Sequence, residues 1–111
     1  MEENIIKSIF EIGKTARENA IIHGFSDTDE QDEKALLLIH SEVSEVVESL
    51  RHGNPNSDHI PGFSGIEEEL ADIILRTCSY AYTRNFKLGE AILAKIKFNA
   101  NREYKHGGKA F

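Results

Sequence analysis

Apolar residues fall along this chain in four stretches of helical period, separated by polar or glycine-containing breaks. The first covers roughly residues 3 to 23: Ile5, Ile6, Ile9, Phe10, Ile12 and Ala16 form a stripe that Ala20 and Ile21 continue, and Gly24 is placed to stop it. A polar, acidic connection, "FSDTDEQDE", follows and offers Thr28 or Asp29 as a helix cap. The second stretch covers roughly residues 31 to 51, with Leu36, Ile39, Val43, Val46, Val47 and Leu50 as its core stripe. Gly53 and Pro55 end it, and "GNPNSDHIPGFSG", which holds both prolines, is a loop. Ser64 with Glu67 three residues later reads as a capping box. The helix it opens carries Ile66, Leu70, Ile73, Ile74 and Thr77 and ends near Asn85. A fourth helix covers roughly residues 88 to 103, with Leu88, Ile92 and Ile96 on one side. No strand pattern of useful length and no repeat interrupts this order. The pattern predicts an all-α four-helix bundle, one domain over residues 1–111.

Composition narrows the partners. The net charge of −6 leaves no basic footprint for a nucleic-acid polymer, and a bare polyanion would be repelled unless cations intervene. The lone cysteine, Cys78, forms no intrachain disulfide and sits among apolar neighbours as a core thiol, which suits a reducing compartment. No apolar run reaches the length of a membrane span, and "MEENIIKSIFEIG" lacks the basic start of a secretory signal. Cytoplasm is the expected location. A core built from 111 residues is modest, so a homodimer or homotetramer is expected to bury more.

The acids raise a sharper question. In "HSEVSEVVESLRHG" Glu42 and Glu45 share a helix face beside the apolar stripe, and in "EEELADIILR" Glu69 and Asp72 do the same. If the two helices form an antiparallel hairpin, four carboxylates converge at the edge of the bundle. Such hard oxygen donors suit Mg²⁺, with Mn²⁺ as a substitute, and a cation would relieve their repulsion. Either pair alone reads more simply as a solvated acidic face; two pairs on consecutive helices shift the balance toward a metal site. A di-iron site wants Glu-x-x-His on two helices, and neither Glu45 nor Glu69 has a histidine at the third place. His40 reads as a packing or hydrogen-bonding residue. Glu48, Glu67 and Glu68 read as solvent-facing, with Glu67 as the cap partner. On the fourth helix Lys95, Asn99 and Arg102 line one face beside Ile92 and Ile96, and Lys105 follows in "YKHGGKAF". Lysine and arginine suit phosphate oxygens. Lys97 and Lys109 fit a solvated basic face at least as well.

The spacing of "SEVSE", then residues 46–68, then "ELAD", resembles the E-E-x-x-E…E-x-x-D signature of the MazG-like nucleoside triphosphate pyrophosphohydrolases. The end, "KIKFNANREYKHGGKAF", is similar to that of short, integron-type members. One position departs: the first acid of the leading pair is Ser41 here. The resemblance implies an all-α fold, a Mg²⁺ requirement with Glu42, Glu45, Glu69 and Asp72 as ligands, and dimers or tetramers whose sites are completed across subunits. It implies hydrolysis of a (deoxy)nucleoside triphosphate to the monophosphate and pyrophosphate, removing damaged or surplus nucleotides. Glu45 would orient or deprotonate the water, Lys95, Arg102 and Lys105 would steady charge on the phosphate oxygens, and Asn99 would position phosphate or sugar. Two other classes stay open: a non-catalytic helical interaction or regulatory protein, and a pyrophosphohydrolase acting on a phosphoribosyl-nucleotide. Phe10, Phe25, Tyr80, Tyr104 and Phe111 are candidates for contact with a base, or for core and interface.

Overall fold

The computed structural model describes residues 2–25 and 31–102. Four helices follow in order: α1 (Glu2–Ile22), α2 (Asp32–Arg51), α3 (Gly65–Thr83) and α4 (Leu88–Ala100). The boundaries follow the punctuation of the sequence. Gly24 adopts a φ of 99° just past α1, a conformation that favours glycine. At the start of α3 the Ser64 side chain accepts from Glu67 N, and Glu67 returns a bond to Ser64 N, so the capping box forms as expected. Asn85, at φ 59°, ends the region of α3. The expected cap of α2 differs: Gln31 occupies that position without a side-chain bond, and Thr28 and Asp29 lie outside the described residues. The fourth helix stops at Ala100, with Asn101 as its cap.

The hub is α3. It packs against α1 on one side and α2 on the other, while α4 packs on α1. The α2–α3 pair is an antiparallel hairpin fastened along its length. At one end Asp32 Oδ1 accepts from Arg84 Nε at 2.9 Å and from the Tyr80 hydroxyl at 3.0 Å, with the Arg84 guanidinium 4.7 Å above the Tyr80 ring. At the other end Gly65 lies so close to Ser49 that an added Cβ would stand 2.8 Å from its Oγ. Glycine also sets the other two crossings. A Cβ on Gly13 would run into the Cys78 carbonyl and stand 2.9 Å from Tyr82 Cβ; one on Gly89 would stand 2.9 Å from Ile6 Cα. Phe10 meets Tyr82 edge-on at 5.2 Å beside the α1–α3 crossing.

The four helices form as the pattern predicts, and within the single chain their arrangement is open. Only Ala35, Cys78 and Ala81 are buried apolar residues, and no large side chain is fully buried among the described residues. The expected stripe of α2 divides in two: Ile39 and Val46 turn inward, joined by Ala35, which the stripe did not include, while Leu36, Val43, Val47 and Leu50 are exposed. Leu70 and Ile74 of α3 and Ile96 of α4, also expected in the core, are exposed too. The reason is stoichiometric: α2 has two apolar faces, and the single chain supplies one helix to cover them. The radius of gyration of 16.6 Å exceeds the roughly 13 Å of a compact chain of this length.

Candidate metal centre

The hairpin register places Glu42 on α2 opposite Asp72 and Glu69 on α3. One carboxylate oxygen from each of the three lies within 4.8 Å of the others, and all three residues are partly buried. Glu42, at 13% side-chain exposure, occupies an inward position of α2 that an apolar residue would otherwise fill. Its Oε1 accepts from Arg76 Nε at 2.9 Å. Arg76 stands one turn beyond Asp72 on α3, so it shares that face. Glu45, one turn along α2, is exposed and lies close enough for its charge to act on Glu69.

The crowding is visible in the acids themselves. The Glu69 carboxyl is pushed up to about 7, first by burial, then by its hydrogen bond to Glu42 and the charge of that residue, then by Glu45 and Asp72. Asp72 is also raised, by burial and then by Glu42 and Glu68, while Arg76 and His59 oppose the shift. Carboxylates gathered with one arginine among them carry more negative charge than their own cations balance. Their donor set is all oxygen, which fits a hard divalent cation and not a thiophilic one.

Other expected residues fall into different places. Cys78 is buried, and burial raises its thiol, as expected of a core residue. His40 is exposed. Glu48 is exposed and meets Arg51 and His52 of its own helix. Glu68 corrects the sequence reading: its side chain is only 18% exposed and accepts hydrogen bonds from Ser57 and His59. Lys95 and Asn99 are exposed on α4, and the Lys95 ammonium lies 4.4 Å over the Phe98 ring; Arg102, expected on the same helix face, is exposed but lies beyond the end of α4 at Ala100, where the helical spacing no longer applies. Among the described residues α4 packs on α1, while the carboxylates lie on the α2–α3 hairpin. Lys105, Tyr104 and Phe111 lie outside the described residues. Of the aromatic candidates, Tyr80 is committed to Asp32 and to an edge contact with Phe86, and Phe25 is exposed.

Sequence reasoning missed Arg76, Ser57 and His59. Arg76 had a signal, the four-residue step from Asp72 on one helix face. Ser57 and His59 had none, because no periodicity connects a loop residue to a helix.

Fold and site together define an all-α protein that gathers acidic side chains on a helical hairpin with donor chemistry suited to a divalent cation. The chain belongs to the MazG nucleotide pyrophosphohydrolase domain family, whose model matches residues 30–103, both carboxylate-bearing helices and α4. No curated protein and no solved structure matches it. No helix among the described residues is long and apolar enough to cross a membrane.

Proposed function

We propose that this chain, as one domain over residues 1–111, is a Mg²⁺-dependent hydrolase of (deoxy)nucleoside triphosphates that removes non-standard or surplus nucleotides in the cytoplasm. The observation that carries the reading is the convergence of Glu42, Glu69 and Asp72 within 4.8 Å on the hairpin matched by the family. Those three residues and Glu45 would hold the cation, Mg²⁺ or in its place Mn²⁺. When bound, it supplies charge neutralisation for the phosphates and a more acidic water.

The chain's own residues supply the rest. Water adds across the α–β phosphoanhydride, its oxygen bonds to phosphorus, the bridging P–O bond breaks, and monophosphate and pyrophosphate leave. Glu45 is exposed beside the cluster, which leaves it available to accept a hydrogen bond from that water and take its proton. Arg76 holds one oxygen of Glu42 and so fixes which oxygen the cluster receives. Lys95, Arg102 and Lys105 supply charge-assisted contacts to phosphate oxygens, and Asn99 positions phosphate or sugar. Since α4 lies on α1, these contacts are proposed to come from a second copy in a homodimer or homotetramer. Pyrophosphate release from a panel of nucleoside triphosphates and a phosphoribosyl-nucleotide, with and without Mg²⁺, tests the reading. Mg²⁺-dependent release from triphosphates is expected. Release from the phosphoribosyl-nucleotide alone would reassign the substrate, and release from none would leave a non-catalytic helical protein.

A further inference from the structure

Between α2 and α3 the chain makes a loop bonded to itself throughout. Ser57 N–H donates to Phe63 O at 2.8 Å, Gly65 N–H to Pro55 O at 2.7 Å, and Ile66 N–H to Asn54 Oδ1 at 2.9 Å. The Ser57 hydroxyl oxygen accepts from the N–H groups of His59 and Ile60, both at 3.1 Å, and its proton goes to Glu68 Oε1 at 2.5 Å. The other Glu68 oxygen meets His59 Nδ1 at 2.6 Å. Backbone and ring of His59 are therefore both held, although its side chain is 80% exposed. An imidazole fixed in place yet facing solvent is preorganised for a partner from outside.

Glu68 lies one turn before Asp72 on α3, which puts His59 beside the carboxylate cluster, and the charges of both residues act on Asp72. Hydrogen bonds from Ser57 and then His59 hold the Glu68 carboxyl below its ordinary range. Against the Glu68 carboxylate, His59 Nδ1 is the donor, and Nε2 is left for another group. The groups facing His59 are all acidic. Glu68 raises its pKa through the hydrogen bond and its charge, against a lowering by burial, and Asp58 and Asp72 add to the rise.

We propose that His59 is a substrate-binding residue of this site, its Nε2–H donating to a phosphate oxygen of a polyphosphate that arrives with a divalent cation at the carboxylate cluster. The inference rests on the nucleotide reading above and adds a contact that the acidic and α4 residues do not supply. The cluster repels a phosphate chain by itself. A cation on its rim, supplied by the same chain, offsets that repulsion where the phosphates extend beyond the carboxylates. The contact is a charge-assisted N–H···O bond that needs no movement of the loop.

Calorimetry of Mg²⁺–tripolyphosphate binding to the native chain, His59→Gln and His59→Lys tests the contact. His59→Gln should weaken binding about tenfold and leave Mg²⁺ affinity without phosphate unchanged. His59→Lys should recover most of the loss, because it restores a cation without the Glu68 geometry. A histidine that only ties down the loop predicts equal loss in both variants, or none in either, and each of those results overturns the proposal. So does a native chain that does not bind Mg²⁺–tripolyphosphate. Should His59→Gln not fold, Glu68→Gln serves, since it keeps an acceptor for Nδ1 and removes the charge favouring the imidazolium. It should weaken Mg²⁺–tripolyphosphate binding, and an unchanged affinity overturns the contact. The hydrolase reading fails separately. Binding through His59 without pyrophosphate release from any nucleotide keeps the contact and removes the activity. Release with an unchanged KM in His59→Gln does the reverse.

Discussion

Burial and the neighbouring acids of the hairpin act together on Glu69. Its carboxyl rises from an ordinary 4.5 to about 7, so the folded chain binds a proton more tightly than the unfolded chain. The sign follows from linkage. The folded state holds more protons between those two values, and stability falls as pH rises through that window. Asp72 is shifted in the same direction, and His59, raised from 6.5, extends the loss to higher pH. Without divalent cation the thermal midpoint should therefore drop between about pH 5 and pH 7.5, and Glu69→Gln should flatten the drop. Mg²⁺ should raise the midpoint at the upper pH by binding the folded state alone. A midpoint in the native chain that stays level across this range would show that the carboxylates are not crowded in solution. Glu42→Gln and Asp72→Asn should each abolish Mg²⁺-dependent turnover while the helical circular dichroism is kept. Full turnover in both would remove the cluster from the chemistry.

Where α1 crosses α3, the elements meet backbone to backbone. Gly13→Ala would gain up to about 1 kcal/mol in helix propensity if α1 stood alone. In the fold the new methyl has no room: it would meet the Cys78 carbonyl and the Tyr82 Cβ, neither of them the yielding end of a flexible side chain. Overpacking against such neighbours costs roughly 1–3 kcal/mol, so the crossing wins and the variant should be destabilised by about 1–2 kcal/mol net. Urea titration reads this as a lower midpoint at an unchanged slope. A midpoint at or above that of the native chain would mean that α1 and α3 lie further apart than the structure has them.

Taken as a whole, the single chain leaves unsatisfied faces. Leu36, Val43, Val47 and Leu50 form an exposed apolar row on α2, and Leu70, Ile74 and Ile96 add to the uncovered surface. Light scattering at micromolar concentration should report a dimer or tetramer, and a mass of one chain would count against it. The site supplies a stricter test. If the carboxylates meet Lys95 of α4 and Arg102 just beyond it across subunits, Arg102→Ala should lower kcat/KM by about ten- to a hundredfold through the lost phosphate contact. Mixing it with Glu42→Gln should then regenerate sites that carry both native halves, about a quarter of native activity for freely exchanging dimers. No recovery after confirmed exchange would place both halves of the site on one chain.

Much of the fold was legible because its signals are local. Helical period, the Ser64–Glu67 capping box, Gly24 and the proline-bearing loop each act within a few residues, and the four helices formed where these signals stand. Three members of the carboxylate site were legible for the same reason. Three-residue spacing puts Glu69 beside Asp72 on one helix face, and the antiparallel hairpin then brings Glu42 against them. Tertiary structure decided the remainder. Hydrophobic period marks a face as apolar but does not say which helix covers it, so the sequence could not separate the inward Ala35 and Val46 from the outward Val43 and Val47. It could not assign α4 to α1 rather than to the acids, because packing partners are chosen by shape, here by Gly89 against Ile6. Nor could it find His59, whose place beside Asp72 depends on how Ser57 and Glu68 close the loop in three dimensions.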